Sequence, residues 1–263
     1  MIQYYADLTR WEMERIDRAN TVVMIPLGAV EQHGSQAPLG TDALIAGAMP
    51  EYIRKELEKA DPDYPMLIFP VMPVGFSVEH MKFCGSISFK PDTYYHVLYD
   101  IVESLAKHGF RKIVFLVCHG GNRPVVDTLA RQARADLGVL PFVLSSGAFS
   151  HPDVQATVSA GNPFDFHGGE METSMAMAIR PEAVKLGLSE PGYKGSYEGK
   201  KAVRFSGEHA LCWMGEDFKT ADGRPIGIAG DPRGATAEKG SIILETSARE
   251  LVPALLEIRD WAV

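Results

Sequence analysis

Apolar runs that stop abruptly at clusters of histidine, glycine and carboxylate residues constrain this chain most. Residues 21–27, TVVMIPL, form one such run. It is followed by Gly28-Ala29-Val30-Glu31-Gln32-His33-Gly34 and then by Pro38-Leu39-Gly40-Thr41-Asp42. A short apolar run bounded by glycine reads as a buried strand. Side chains two apart on an extended chain point the same way, so Glu31 and His33 face one target. Gly34, Pro38 and Gly40 bend the chain back and return Asp42 to the same spot. Glu, His and Asp gathered at a strand end suit a divalent ion of the zinc, manganese or iron type. The competing reading of this segment alone is a polar loop capped by an Asp at a helix start.

Two later segments favour the first reading. Val114-Phe115-Leu116-Val117-Cys118 runs into His119-Gly120-Gly121-Asn122. That pattern predicts a strand ending at a histidine and a helix beginning near Asn122. Sites of open α/β sheets lie at such carboxyl ends. Phe166-His167-Gly168-Gly169-Glu170-Met171-Glu172-Thr173-Ser174 reads as a polar loop feeding an apolar helix. A lone histidine after a strand is more often a hydrogen-bonded core group. Three such clusters, each at the end of an apolar run, point to one joint site.

The remaining periodicity predicts alternating elements. Helices are expected over residues 8–19, 42–59, 91–108, 123–137, 172–178 and 236–261, the last with a break at Pro253. Strands are expected over 21–27, 66–71, 112–117 and 139–144. This alternation predicts an α/β fold, a three-layer sandwich with a mainly parallel central sheet and helices on both faces. Residues 1–263 read as a single domain. Residues 187–234 depart in composition, being rich in Gly and Lys, and are too long for a simple loop. They read as an excursion that forms a lid or a subunit contact. Their large aromatics, among them Trp213, need something to cover them.

Composition narrows the function. The net charge is −8, with no basic stripe, which argues against nucleic acid as a partner. Cys84, Cys118 and Cys212 are few and odd in number, which fits a reducing compartment better than a disulfide framework. Residues 1–18 carry charges throughout, unlike a signal peptide. No run approaches the roughly 20 apolar residues of a membrane span, so no membrane partner is expected and the cytoplasm is the default.

The motifs together resemble the creatininase family of metal-dependent amidohydrolases. The resemblance rests on Glu31-Gln32-His33-Gly34 with Thr41-Asp42, on His119-Gly120-Gly121-Asn122, and on His167 with Glu172-Thr173-Ser174. Weaker matches are Glu79-His80 with Gly85, and Gly230-Asp231-Pro232 leading to residues 235–240. It spans about residues 20–250. The resemblance implies two divalent ions per chain (Zn, Mn or Fe). Glu31 and His119 would bind one, His33 the other, and Asp42 would bridge them. Where creatininase has a ligating Glu two residues after the strand-end histidine, this chain has Gly121. Glu172, opening a helix beside His167, is the expected replacement; a carboxylate there is also favoured by the helix dipole. A helix-capping role is the other reading of Glu172.

By the same resemblance His167 is the catalytic proton carrier, with Glu170 as second candidate. His80, Gly120, Gly121 and Asn122 are expected to line the substrate pocket. The implied chemistry is attack by a metal-activated water on a non-peptide or cyclic amide, the metals holding the oxyanion. The family's pocket tryptophans are missing before His167, where the chain has Phe149-Ser150-His151-Pro152 and Asn162-Pro163-Phe164-Asp165-Phe166. A creatinine substrate is therefore in doubt. Alternatives are a formamide hydrolase acting on a pyrimidine nucleotide, served by Lys82, Arg123, Lys200, Lys201 or Arg204, a metal-dependent phosphoester hydrolase, and a non-catalytic metal-binding protein. The family also implies a homo-oligomer, with hexamers in creatininase.

Overall fold

Strand β2 (Val22–Leu27) is buried along its whole length because helices cover both of its faces. Val22 and Met24 pack with one set of core residues, and Val23, Ile25 and Leu27 with the other, as the alternation of a strand requires. This computed structural model describes residues 1–159, 164–205 and 208–263. The other strands are β1 (Ile2–Tyr4), β3 (Met66–Ile68), β4 (Lys112–Val117) and β5 (Leu140–Ser145). All pairings are parallel, in the order β1-β3-β2-β4-β5.

The main helices are α2 (Thr41–Ala60), α3 (Pro91–Lys107), α4 (Arg123–Leu137), α6 (Glu170–Ile179) and α7 (Ala237–Asp260). Two single-turn helices, α1 (Arg10–Met13) and α5 (Pro152–Gln155), complete the set among the described residues. Helices α2, α6 and α7 cover one face of the sheet, and α3 and α4 the other. The result is the expected three-layer α/β sandwich. Each large core side chain, such as Phe115, contributes on the order of 1.5–3 kcal/mol by leaving water.

Several expected elements are corrected. The helix over 8–19 shrinks to α1, whose Thr9–Glu12 capping box starts a helix with no buried residue to sustain it. Strand β3 stops at Ile68 because Pro70 and Pro73 remove ladder donors, leaving only a single bridge from Met72 to Leu27. The short strand β1 carries too few residues to show a period. Helix α7 does not break at Pro253: buried Leu255 and Ile258 hold its last turns on the core. Among the described residues no helix is long and apolar enough to cross a membrane.

The register sets up the site. Leu27 pairs with Val117, so β2 and β4 end level and send Glu31 and His119 off the same sheet edge. Residues 187–234 fold back over that edge through short turns and isolated bridges, including His167 to Ala229 and Gly192 to Gly230. Phe218 is fully buried against Phe164, with Phe205 and Trp213 packed around it. Phe205, Trp213 and Phe218 thus pack within this chain, whereas Tyr193 is exposed. The Asn162-Pro163 part of the loop before His167 lies outside the described residues.

Candidate metal centre

Local geometry brings the first cluster together. Gly28 lets the end of β2 lie against α2: a Cβ there would sit 2.7 Å from Ala43 Cα. Glu31 N donates to Leu39 O at 2.8 Å, which closes the loop and sets Asp42 in the first turn of α2. Gly34, at φ +77°, makes the turn. Gln36 Nε2 donates to His33 O at 2.8 Å and to Gly168 O at 2.9 Å, tying the first cluster to the third.

Around Glu31 and Asp42 the histidines converge. Glu31 Oε2 lies 3.2 Å from His119 Nε2, and Asp42 Oδ2 3.4 Å from His119 Nδ1. On the other side, His33 Nε2 lies 3.5 Å from Asp42 Oδ1 and 3.6 Å from Glu172 Oε2. Two ligands about 2.1 Å from one tetrahedral ion stand roughly 3.4 Å apart, so each pair has a spacing that suits a shared ion, with Glu31 and Asp42 facing different ring nitrogens of His119. Asp42 touches both halves. Among the described residues three groupings have ligand atoms close enough to hold an ion: Glu31, His33 and Asp42; His33, His167 and Glu172; and Glu31, His80 and His167.

The donor set also has unmet demand. Both oxygens of Glu31, Oδ2 of Asp42 and Nε2 of His33 and His80 are buried without a hydrogen-bond partner among the described residues. Such groups cost free energy unless a partner is supplied. Divalent ions are the partners that a pure carboxylate–imidazole set accepts.

The histidines differ electrostatically. Burial works against charge on His33, but the carboxylates of Asp42, Glu172 and Glu31 push its pKa up to about 10. Burial also opposes charge on His119, which Glu31, Asp42 and Glu79 push up to about 10. His167 is held well below its usual value by burial and by the charge of His33. His80 is pushed down by burial and by the neighbouring histidines. Burial raises Glu172 to about 7, against the pull of His33. Burial works against charge on Asp42, but the charge and hydrogen bond of His33, with the charge of His119, hold it below the usual carboxylate range.

The tautomers follow from the fixed partners. His167 Nε2 donates to Gln32 O at 2.9 Å, which leaves Nδ1 bare, 3.7 Å from Glu31 Oε1 and 3.8 Å from Glu172 Oε2. His33 Nδ1 donates to Glu31 O at 3.1 Å, which frees Nε2 for the site. Gln32, whose amide donates to Gly227 O at 2.6 Å, also contacts His80 Nδ1 at 3.0 Å.

Not every expected residue joins. Glu170 is buried, but its carboxylate accepts from Ser159 N and Oγ and pairs with Lys239, away from the cluster. Asn122 is a brace: Oδ1 accepts from Phe76 N at 2.9 Å and Nδ2 donates to Gly28 O at 3.0 Å. Gly120 and Gly121 do line the cleft. His80 lies deeper than a pocket wall, its Nε2 3.3 Å from Glu31 Oε1 and its ring stacked 4.2 Å from that of His167. Sequence reading missed Gln32, and named Trp213 only as an aromatic of the excursion without placing it beside His80. Gln32 stood inside the first motif, and its place between Glu31 and His33 was its only signal. Trp213, with its ring centre 5.3 Å from that of His80, lies too far along the chain for spacing to reveal it.

Above the cluster lies a cleft of about 1350 Å³, walled largely by apolar residues such as Phe76, Phe149, Phe166, Phe205, Leu211 and Trp213. That exceeds the roughly 300–1,000 Å³ of common small-molecule pockets.

Comparison with known proteins gives a consistent picture. The sequence model of the family described as "Creatininase: Creatinine amidohydrolase" matches residues 6–255. The chain is 31% identical over 223 residues to the mycofactocin precursor peptide peptidase of Mycobacterium ulcerans (strain Agy99), covering 83% of this chain and 78% of that protein. It is 28% identical over 281 residues to the creatinine amidohydrolase of Pseudomonas putida, covering 97% and 96%. Among solved structures, a mutant creatininase of Zn-Zn type superposes with a TM-score of 0.72 at 25% identity, covering 97% of each chain.

Proposed function

The chain belongs to the creatininase family and is a creatininase-like hydrolase of C–N bonds, and from that premise we propose that it cleaves a non-peptide or cyclic amide at a centre of two divalent ions. The observation that carries this reading is the convergence of Glu31, His33, Asp42 and His119 on one sheet edge with buried polar atoms that lack partners. Glu31 and His119 would hold one ion, His33 and Glu172 the other, and Asp42 both. The Zn-Zn creatininase supports zinc, and the same donors accept manganese or iron. When bound, such ions make hydroxide available near neutral pH and offset charge developing on a carbonyl oxygen.

The protein's own groups supply the rest. His167 holds no proton on Nδ1 at rest, so it acts first as a base toward the attacking water. It then returns that proton to the departing nitrogen. Gln32 O fixes the tautomer that this exchange needs. Glu170, committed to Lys239, is poorly placed for the same task. The aromatic residues give the cleft a largely apolar wall.

A second reading is hydrolysis of a peptide amide. Two observations favour it: the volume of the cleft, which a creatinine-sized substrate would leave mostly empty, and the likeness to a peptide peptidase. Turnover of zinc- or manganese-loaded protein on small cyclic amides, on short peptides with apolar ends, on a formamido-pyrimidine nucleotide and on phosphoesters separates the readings. Activity on amides that chelation abolishes is expected. Phosphoester turnover alone, or tight metal binding with no turnover, would sink the amide reading. The family likeness supports a homo-oligomer, and light scattering of a monomer at working concentration would rule out the assembly; the cytoplasm stays the default compartment.

A further inference from the structure

One carboxylate in the cleft has no part in the scheme above. Glu79 sits in the single 3-10 turn Val78–His80, beyond the end of β3, and its carboxylate lines the cleft. It is buried, and Oε1 lies 3.6 Å from His119 Nε2. The turn is anchored on its N-terminal flank. Phe76 N donates to Asn122 Oδ1 at 2.9 Å, and Ser77 N to Ser88 Oγ at 2.8 Å. Gly215 closes over it, where a Cβ would meet Glu79 O at 3.3 Å.

The position of that carboxylate is informative. A Cβ on Gly121 would lie 2.3 Å from Glu79 Oε1, 2.4 Å from His119 Nε2 and 2.7 Å from Phe76 O. The backbone of Gly121 is not in the left-handed region, so its missing side chain is a matter of space. Glu79 fills the very volume that a side chain at 121 would enter, two residues beyond His119. We propose that Glu79, reaching through the space that Gly121 leaves open, is a further ligand of the ion held by Glu31 and His119. This rests on the two-ion reading and extends it.

Charge balance supports the assignment. Glu31, Asp42, Glu79 and Glu172 bring four negative charges to one buried centre, and two divalent ions neutralise them. Glu172 stands on the other side, 3.6 Å from His33 Nε2. Each half of the centre then has a histidine and a carboxylate of its own, with Asp42 common to both.

The test is calorimetric titration of chelator-treated wild-type and Glu79→Gln proteins with zinc, together with visible spectra of their cobalt(II) forms. Loss of a ligand or of its close support costs roughly 10–100-fold in affinity. The variant should bind one ion with wild-type affinity and the other at least tenfold more weakly, with altered cobalt bands. Its metal-free Tm should stay close to that of wild type, because burial already disfavours the charge of this carboxylate. Wild-type affinity for both ions would overturn the assignment. So would weakened binding with an unchanged cobalt spectrum, which would make Glu79 a support for His119 only. A metal-free Tm that falls would make its role structural and overturn it too. If wild-type protein binds no ion, the metal reading itself fails, and that outcome is distinct from a failure confined to the variant.

Discussion

Glu31, His33, Asp42 and His119 are at most 6% exposed, whereas Phe166, over the same cleft, is 37% exposed. The first group hangs from the ends of β2 and β4 and from the start of α2, all pinned by sheet register and backbone hydrogen bonds. The second belongs to a lining contributed by the loop before α6 and by the excursion, where aromatic rings meet at varied tilts and short turns replace strands. A rigid floor suits ligands that must be held within a few tenths of an ångström. A wall of loops suits a substrate contact that differs between relatives sharing one centre.

That contrast makes graded expectations. Asp42→Ala should do most damage, because Asp42 serves both halves of the floor: both ions and all turnover should go, whereas His33→Ala should weaken mainly one ion. Metal analysis of the purified variants reads this directly, and an Asp42 variant that keeps one tight ion would break the shared-ligand picture. Next comes His167→Ala, which should keep both ions yet lose about 10²–10⁴-fold in kcat. Metal lost in step with activity would instead make His167 a ligand, a role its bare Nδ1 also permits.

The wall should respond more mildly. Trp213→Ala removes a ring beside His80 and Phe166, so KM should rise about tenfold with little change in metal content. An equal loss in kcat and metal would show that wall and floor are one unit. The smallest expected effect is on pH dependence. His33 and His119 have folded pKa values near 10 against about 6.5 unfolded, so their stabilising charge is fully present below about pH 6.5 and is lost toward pH 10. The Tm of metal-free protein should fall across that window, and zinc loading at pH 8 should release protons. A flat metal-free Tm from pH 7 to 10 would contradict the charged pair.

Legibility in the sequence followed the same division. The floor could be read because Glu31, His33 and Asp42 lie close in sequence, and because β4 ends in a histidine followed by two glycines. Helix α4 and strand β4 were read to the residue, since each has a clear period and a glycine or proline boundary. Helix α1 was overestimated because a polar-apolar pattern alone does not supply a core to pack on. Glu170 was misjudged because two carboxylates in one helical turn look alike in sequence, while only Glu172 turns toward His33 and Glu170 turns to Lys239.

What the sequence by itself determined is the set of short-range features: the strands from their apolar runs, the turns from their glycines, and which carboxylates and imidazoles gather at the sheet edge. Each depends on neighbours within a dozen residues, where backbone geometry leaves few choices. What only the tertiary structure decided is which distant groups meet. Gln32 between His80 and His167, Trp213 over His80, and Glu79 in the space left by Gly121 all depend on packing between segments far apart in the chain. Such contacts carry no local periodicity. They exist because α2, α6 and the excursion bury their apolar sides against the same sheet edge.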